Sequence, residues 1–142
     1  KIVPLSQVIE SKKYSLNDSI DCENGEMTLS NKKLLRDHEP HDKLSLLDVF
    51  AYSSNIGISK MIQDFSDIDF YEYCKKFGFG SSTGLPFKNA SKGKLREINN
   101  WSKTSKNYIS IGQELSATTL QMAMAYCSIA NGGYLLKPNM TM

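Results

Sequence analysis

One spacing limits what this chain can build: a serine three residues ahead of an aspartate, at the head of a helix-period apolar pattern. The copies are Ser45-x-x-Asp48 in "LSLLDVFAYSS" and Ser66-x-x-Asp69 ahead of "FYEYCKKFGFG". At a helix start, the hydroxyl and the carboxylate satisfy amides that the first turn leaves free. Each copy therefore opens a helix, and the chain must be assembled from short helices. The first is expected from about Ser45 toward Ser53, with Leu46, Val49, Phe50 and Tyr52 giving it apolar contacts. Apolar character resumes at Ile56, Ile58, Met61 and Ile62, so "SSN", residues 53 to 55, falls between two helices. In the helix behind Ser66, Phe70, Cys74 and Phe77 share a face, and Gly78 supplies a left-handed stop.

The rest of the chain gives mixed signals. Val3, Leu5, Val8 and Ile9 recur on one side of a helix that ends near "ESKK", with Pro4 tolerated only if the first turn lies close by or the helix bends. "SIDCENGEMTLSNKKLLRD" alternates short β-compatible runs with turn residues. Asn24-Gly25 is a two-residue hairpin signal, and a small hairpin or meander is expected there. From "SSTGLPFKNASKGKLREINNW" onward no period is visible, and a long, flexible surface loop is expected. "SATTLQMAMAYCSIANGG" puts Leu120, Ala123, Met124, Cys127 and Ala130 on one stripe, with Met122, Tyr126 and Ile129 outside it; Gly132-Gly133 ends the helix. Being apolar on most sides, this helix is expected inside the domain.

With 142 residues the chain has room for one domain. Seventeen basic residues against fifteen acidic ones leave a charge of +2, and the lysines are scattered, so no nucleic-acid partner is expected. Cys22, Cys74 and Cys127 form no CxxC pair and allow at most one bridge, which excludes a disulfide framework or a zinc site. No apolar run approaches the ~20 residues of a membrane helix, and "KIVPLSQVIE" has no signal-peptide order. Any export or membrane signal is expected outside this chain. It opens on Lys1 in mid-pattern and reads as an excised piece.

Several groupings look like chemistry and have plainer readings. His38 and His41 sit among Asp37, Glu39 and Asp42, but Pro40 breaks the helix that would aim both imidazoles at one ion. "RDHEPHD" therefore reads as a polar turn, and neither a metal nor a cofactor is expected. "GFGSSTG" lacks the Lys-Ser/Thr of a phosphate loop and follows a helix, so it reads as a turn. Asn17, Asn89 and Asn139 begin N-x-Ser/Thr sequons that matter only in a glycosylating pathway, and Met122, Met124, Met140 and Met142 read as core packing. Ser53, Ser54 and Asn55 are by themselves ordinary helix-end residues.

Collinear blocks change the reading of those three. "IDCENG", "LLRDHEPHDKLSLLDVFAYSSNIGISKM", "YCKKFGFGSSTGLPF" and "ISIGQELSATTLQMAMAYCSIANGGYLLKP" together resemble the transpeptidase domain of class B penicillin-binding proteins, most closely the division-type members. The resemblance covers nearly the whole chain. It implies an α/β fold: the mainly helical part of the penicillin-binding transpeptidase (serine β-lactamase/D,D-peptidase-like) fold, with the central antiparallel sheet largely missing. Residues 1–142 would be a partial domain running from the S-x-x-K lysine to before the K-T-G strand.

That family acylates a serine in S-x-x-K, uses S-x-N on a loop between helices, and closes the site with K-T-G. Ser53-Ser54-Asn55 matches S-x-N, and the resemblance implies that Lys1 is the S-x-x-K lysine, its serine three positions upstream. Lys1, Ser53 and Asn55 inherit catalytic roles: Lys1 as base, Ser53 as proton relay, and Asn55 holding both Lys1 and the substrate carbonyl. Ser54 is the spacer and, with Gly112 and Gln113, is expected against the substrate. Glu114 stands where the family frequently has glycine, the family's acidic turn after "FGFG" is absent, and no K-T-G occurs.

The implied reaction is acyl transfer in peptidoglycan cross-linking at division: a D-Ala-D-Ala stem peptide acylates the serine, D-Ala leaves, and a neighbouring amine takes the acyl group. β-Lactams would act as covalent inhibitors. The implied partners are division or elongation membrane proteins, and the implied location is extracytoplasmic (periplasmic), on a bacterial membrane anchor outside this chain. These residues alone would be inactive. A β-lactam-hydrolysing or sensing relative and a non-catalytic division scaffold are the alternatives.

Overall fold

The computed structural model describes residues 1–86 and 90–139. Helix α1 (Ile2–Ser11) carries Pro4 within its first turn, where a missing N–H breaks no hydrogen bond. Strands β1 (Ser19–Asp21), β2 (Glu26–Thr28), β3 (Leu34–Arg36) and β4 (Lys43–Ser45) follow, then helices α2 (Leu46–Ala51), α3 (Asn55–Ile62) and α4 (Asp67–Lys76). Beyond them come β5 (Lys94–Leu95), α5 (Ser105–Ser110), β6 (Leu115–Ser116) and α6 (Thr119–Ala130). Among the described residues the strands form three separate antiparallel pairs, β1–β4, β2–β3 and β5–β6.

Both serine caps form. Ser45 Oγ accepts from the Asp48 amide at 3.0 Å and donates to its carboxylate at 2.7 Å; Ser66 does the same with Asp69 at 3.0 and 2.7 Å. The hydroxyl thus binds both the amide and the carboxylate of the same residue.

Helix α3 lies at the centre. Its Ile56, Ile58 and Met61 join a cluster with Leu5 and Val8 of α1 and Leu46 and Val49, while Ile62 joins a second cluster around Phe70, Tyr73 and Cys74 of α4. A helix buried on nearly every side makes a rigid base, and the "SSN" turn opens directly onto its first residue.

Several expectations change. Asn24-Gly25 closes no hairpin: it lies in a 3-10 turn, Glu23–Gly25, that hands the chain from β1, paired with β4, to β2, paired with β3. The hairpin proper turns where the Leu29 amide meets the Lys33 carbonyl. Ile9, placed on the buried face of α1, is 52% exposed.

Helix α6 is rotated relative to its expected stripe. Gln121, Ala125 and Ser128 face inward, while Ala123, Cys127 and Ala130 face solvent together with Met122, Tyr126 and Ile129. The cause is polar. The buried Gln121 amide donates to the carbonyls of Gly78, Ser81 and Lys92, and that anchor sets the helix rotation. With Ile9, Leu47 and Phe50, Ile129 lines an apolar groove open to solvent.

The expected long loop carries structure as well. Trp101 Nε1 donates to the Arg96 carbonyl and Tyr71 to Glu97, so β5 and the turn Ile98–Asn100 are fastened to α4. Helix α5 was not expected, because it buries polar residues: Asn107 bonds Ser59 of α3, and Ser105 accepts from the Ser102 amide. The expectations for residues 87–89, with the Asn89 sequon, and for Met140 and Met142 lie outside the described residues.

Candidate active site

The site is built from the way α2 stops and α3 starts. After Ala51, the Ser53 amide bonds the Phe50 carbonyl at 3.1 Å and the Ser54 amide bonds the Val49 carbonyl at 3.0 Å. This pair of bonds is a Schellman ending, which needs a left-handed residue after the cap. Ser53 occupies that place with φ 58°. Helix α5 ends the same way, with Gly112 bonding Ile109 and Gln113 bonding Tyr108, but there a glycine (φ 93°) takes the left-handed position. A serine in that position costs about 1 kcal/mol. Lys12 is also left-handed, at the end of α1. The conformation alone therefore marks nothing, and what distinguishes Ser53 is its neighbour.

That neighbour is Lys1, the N-cap of α1. Its Nζ reaches Ser53 Oγ at 2.9 Å and also meets the Ser53 carbonyl oxygen. Burial holds the Lys1 amine below the ordinary lysine range, and the negative charge of Asp37 opposes that depression. Lys1 and Gly112 share a cavity of about 300 Å³, backed by Phe70, Cys74 and Ile109. Burial pushes the Cys74 thiol up to about 12, so it stays neutral in that cavity.

Ser54 differs from its expected role. It is 2% exposed, donates to Asp37 at 2.6 Å and accepts from the Gly57 amide at 2.9 Å. It is the N-cap of α3 and faces the interior, so it offers nothing to a substrate. Asn55 donates through Nδ2 to the Arg36 carbonyl at 2.7 Å. The bonded partner of Lys1 is Ser53 rather than Asn55, while the Arg36 bond fixes which end of the Asn55 amide turns away. Gln113 is exposed at the end of α5.

Asp37 was missed by sequence reasoning. Its Oδ1 accepts from the Asn55 and Ile56 amides and its Oδ2 from the Ser54 hydroxyl. Its partners are 17 to 19 residues away, and no local pattern announces such a contact. The available signal was an acid at the end of the predicted strand "LLRD". Among the described residues no group of three or more His, Cys, Asp or Glu side chains is poised to hold an ion.

The whole chain, residues 1–142, matches the penicillin binding protein transpeptidase domain. The chain belongs to this family. It is 41% identical over 90 residues to penicillin-binding protein PbpB of Mycolicibacterium smegmatis, covering 63% of this chain and 14% of that protein. To the probable peptidoglycan D,D-transpeptidase PbpC of Pseudomonas aeruginosa it is 30% identical over 132 residues, 93% of this chain and 23% of that protein. Penicillin binding protein 3 of Mycobacterium tuberculosis, solved in complex with ampicillin, superposes with a TM-score of 0.87 at 31% identity, over 96% of this chain and 30% of that one. The chain thus spans less than a quarter of the length of these curated relatives.

Within this transpeptidase-family chain, the fold is the expected partial α/β one: helices and short paired strands packed around α3, with Ile20, Leu35 and Leu44 of β1, β3 and β4 in its core cluster. Glu114, standing where the family frequently has glycine, takes φ 58°, the left-handed backbone that glycine adopts without cost. Its carboxylate is paired with Arg96, whose guanidinium also donates to Ser105 at 2.9 Å. The ion pair ties the segment after Gly112 and Gln113 to the residue that follows β5.

Proposed function

We propose that this chain contributes the lysine and S-x-N wall of a serine D,D-transpeptidase that cross-links peptidoglycan. The observation that carries the reading is the 2.9 Å contact between Lys1 Nζ and Ser53 Oγ, in a pocket that favours the neutral amine. A serine hydroxyl needs a base, and lysine is a base only when uncharged. Lys1 is the S-x-x-K lysine, and its serine stands three positions upstream. Neutral Lys1 takes the proton from that serine as it attacks the penultimate D-Ala carbonyl. Ser53, bonded to Lys1, passes a proton to the departing D-Ala amine. The acceptor stem-peptide amine then completes the transfer. Asn55, held by Arg36, and Gly112, which lines the cavity with Lys1, flank the peptide together with the neighbouring Gln113.

β-Lactams enter the same site, a proposal supported by the ampicillin complex of the structural neighbour. Acylation by penicillin is the test. A protein carrying this segment together with its upstream serine and K-T-G strand labels with fluorescent penicillin. Ser53→Ala and Asn55→Ala each slow labelling by about 10²-fold without unfolding the domain. Unchanged rates in both variants exclude the assigned roles. A label that persists marks a transpeptidase, one that turns over marks a hydrolase, and no label marks a scaffold.

The 142 residues alone do not label. No described helix is long and apolar enough to cross a membrane. The proposed location is extracytoplasmic, on an anchor supplied elsewhere in the protein, with division or elongation membrane proteins as partners.

A further inference from the structure

We infer that Asp37 is a positioning residue of this site: its carboxylate fastens the Ser53–Asn55 turn from below and supplies the negative charge that Lys1 faces. The inference rests on the reading of Lys1 and Ser53 as the proton-transfer pair.

The geometry is specific. One carboxylate oxygen accepts from two successive amides, Asn55 and Ile56, at the N-terminus of α3; the other accepts from the Ser54 hydroxyl at 2.6 Å. An anion at a helix N-terminus meets unpaired N–H groups and the positive end of the helix dipole. Ser54 is thereby held at both ends, since its oxygen also accepts from Gly57. With Ser54 and Asn55 fixed, the backbone immediately before them has little freedom. Ser53 stays left-handed, with its hydroxyl toward Lys1.

The charge acts separately from the hydrogen bonds. Asp37 is the carboxylate whose field reaches Lys1, where it favours the ammonium against burial. The neighbouring charged groups are few. Arg36, next in the chain, is paired with Glu26 at 2.8 Å. The first turn of α3 carries no acid, and the Cys74 thiol of α4 is neutral. Asp37 therefore moderates, against burial, how much of Lys1 is available as base at a given pH, and it holds Ser53 where it stands.

These two effects have opposite signatures. Without the charge, Lys1 loses its proton more easily and the acidic limb of the acylation profile moves to lower pH. Without the hydrogen bonds, the turn loosens and the plateau rate falls. Asp37→Asn keeps oxygen and nitrogen partners for the turn and removes the charge; Asp37→Ala removes both.

The test measures penicillin acylation against pH in the protein bearing this segment, together with an NMR titration of the Lys1 side chain. Asp37→Asn is expected to shift the limb and the Lys1 titration to lower pH with the plateau nearly kept. Asp37→Ala is expected to give the same shift with a plateau roughly tenfold lower. A lower plateau with limb and titration unmoved in both variants reduces Asp37 to a structural cap and overturns the inference, as does a shift with no loss of plateau in Asp37→Ala. If the unmutated protein does not acylate, the functional reading fails on its own. The Lys1 titration then decides: displaced in Asp37→Asn, it upholds the coupling, and unmoved, it overturns it.

Discussion

The Lys1 amine lies 2.9 Å from the Ser53 hydroxyl although 52 residues separate them in the chain. Neither residue makes that contact alone. Lys1 is delivered by α1, which packs on α3 through Leu5 and Val8. Ser53 is delivered by the junction of α2 and α3, where one helix ends on it and the next begins at Ser54. The turn at Ser53–Asn55 is therefore a helix stop joined to a helix start, with the stop residue exposed and the start residue buried as the cap of α3.

Stability and activity separate at Ser53. Its left-handed backbone costs a serine about 1 kcal/mol that glycine does not incur. Ser53→Gly is expected to raise stability by up to about 1 kcal/mol while cutting penicillin acylation by about 10²-fold. Ser53→Ala keeps the strain, loses the hydroxyl and gains no stability. Urea unfolding and labelling kinetics on the two variants check this, and a Ser53→Gly protein that is clearly less stable refutes the strain argument.

Gly57 is required by packing. A Cβ there would lie 2.6 and 2.8 Å from the two methyls of Val49, so α2 could not sit where it does. Gly57→Ala is expected to destabilise by about 1–3 kcal/mol through overpacking and to slow acylation by displacing Ser53. Val49→Ala, added to it, opens the space and is expected to restore part of both. A double variant no better than Gly57→Ala argues against this particular clash.

Local features were legible in the sequence where their causes were local. The caps at Ser45 and Ser66, the stop at Gly78 and the helix–turn–helix around "SSN" all depend on residues within one turn of each other. Features set by distant partners were not. Asp37 acts on a turn 17 to 19 residues on, Gln121 rotates α6 through three remote carbonyls, and α5 is held by buried polar contacts such as Asn107 to Ser59. Hydrophobic periodicity is blind to elements that pack through polar groups. Asn24-Gly25 shows the converse: a strong turn signal was right about the turn and wrong about which strands it joins.

A pH-dependent contribution is expected from Tyr14, whose hydroxyl donates to Asp64 at 2.6 Å. Burial, then that bond, raises the phenol from its ordinary value to about 12. A raised phenol favours the folded state while protonated, so the stabilisation is full below about pH 10 and is lost between about 10 and 12. Tyr14→Phe is expected to cost about 1 kcal/mol at neutral pH, with the difference from the unmutated protein shrinking and then changing sign as the pH rises through the alkaline range. A difference constant across that range contradicts the assignment.

Gln121 gives the strongest stability expectation. Its side chain is 1% exposed, its Nε2 donates to Gly78, Ser81 and Lys92 at 3.1, 2.9 and 2.9 Å, and its Oε1 accepts from the Thr118 amide at 2.9 Å. Two N–H groups serve three carbonyls, so one bond is shared. Gln121→Ala strands those groups and is expected to cost about 2–4 kcal/mol. Gln121→Glu keeps the shape but sets a carboxylate against three carbonyl oxygens in a buried place. Its folded-state pKa is raised, so the variant approaches the unmutated protein below about pH 4 and diverges from it as pH rises, by about 3 kcal/mol or more at neutrality. Urea unfolding of both proteins across that range checks the sign. A Gln121→Glu penalty independent of pH would mean that the side chain does not meet the carbonyls as a buried donor.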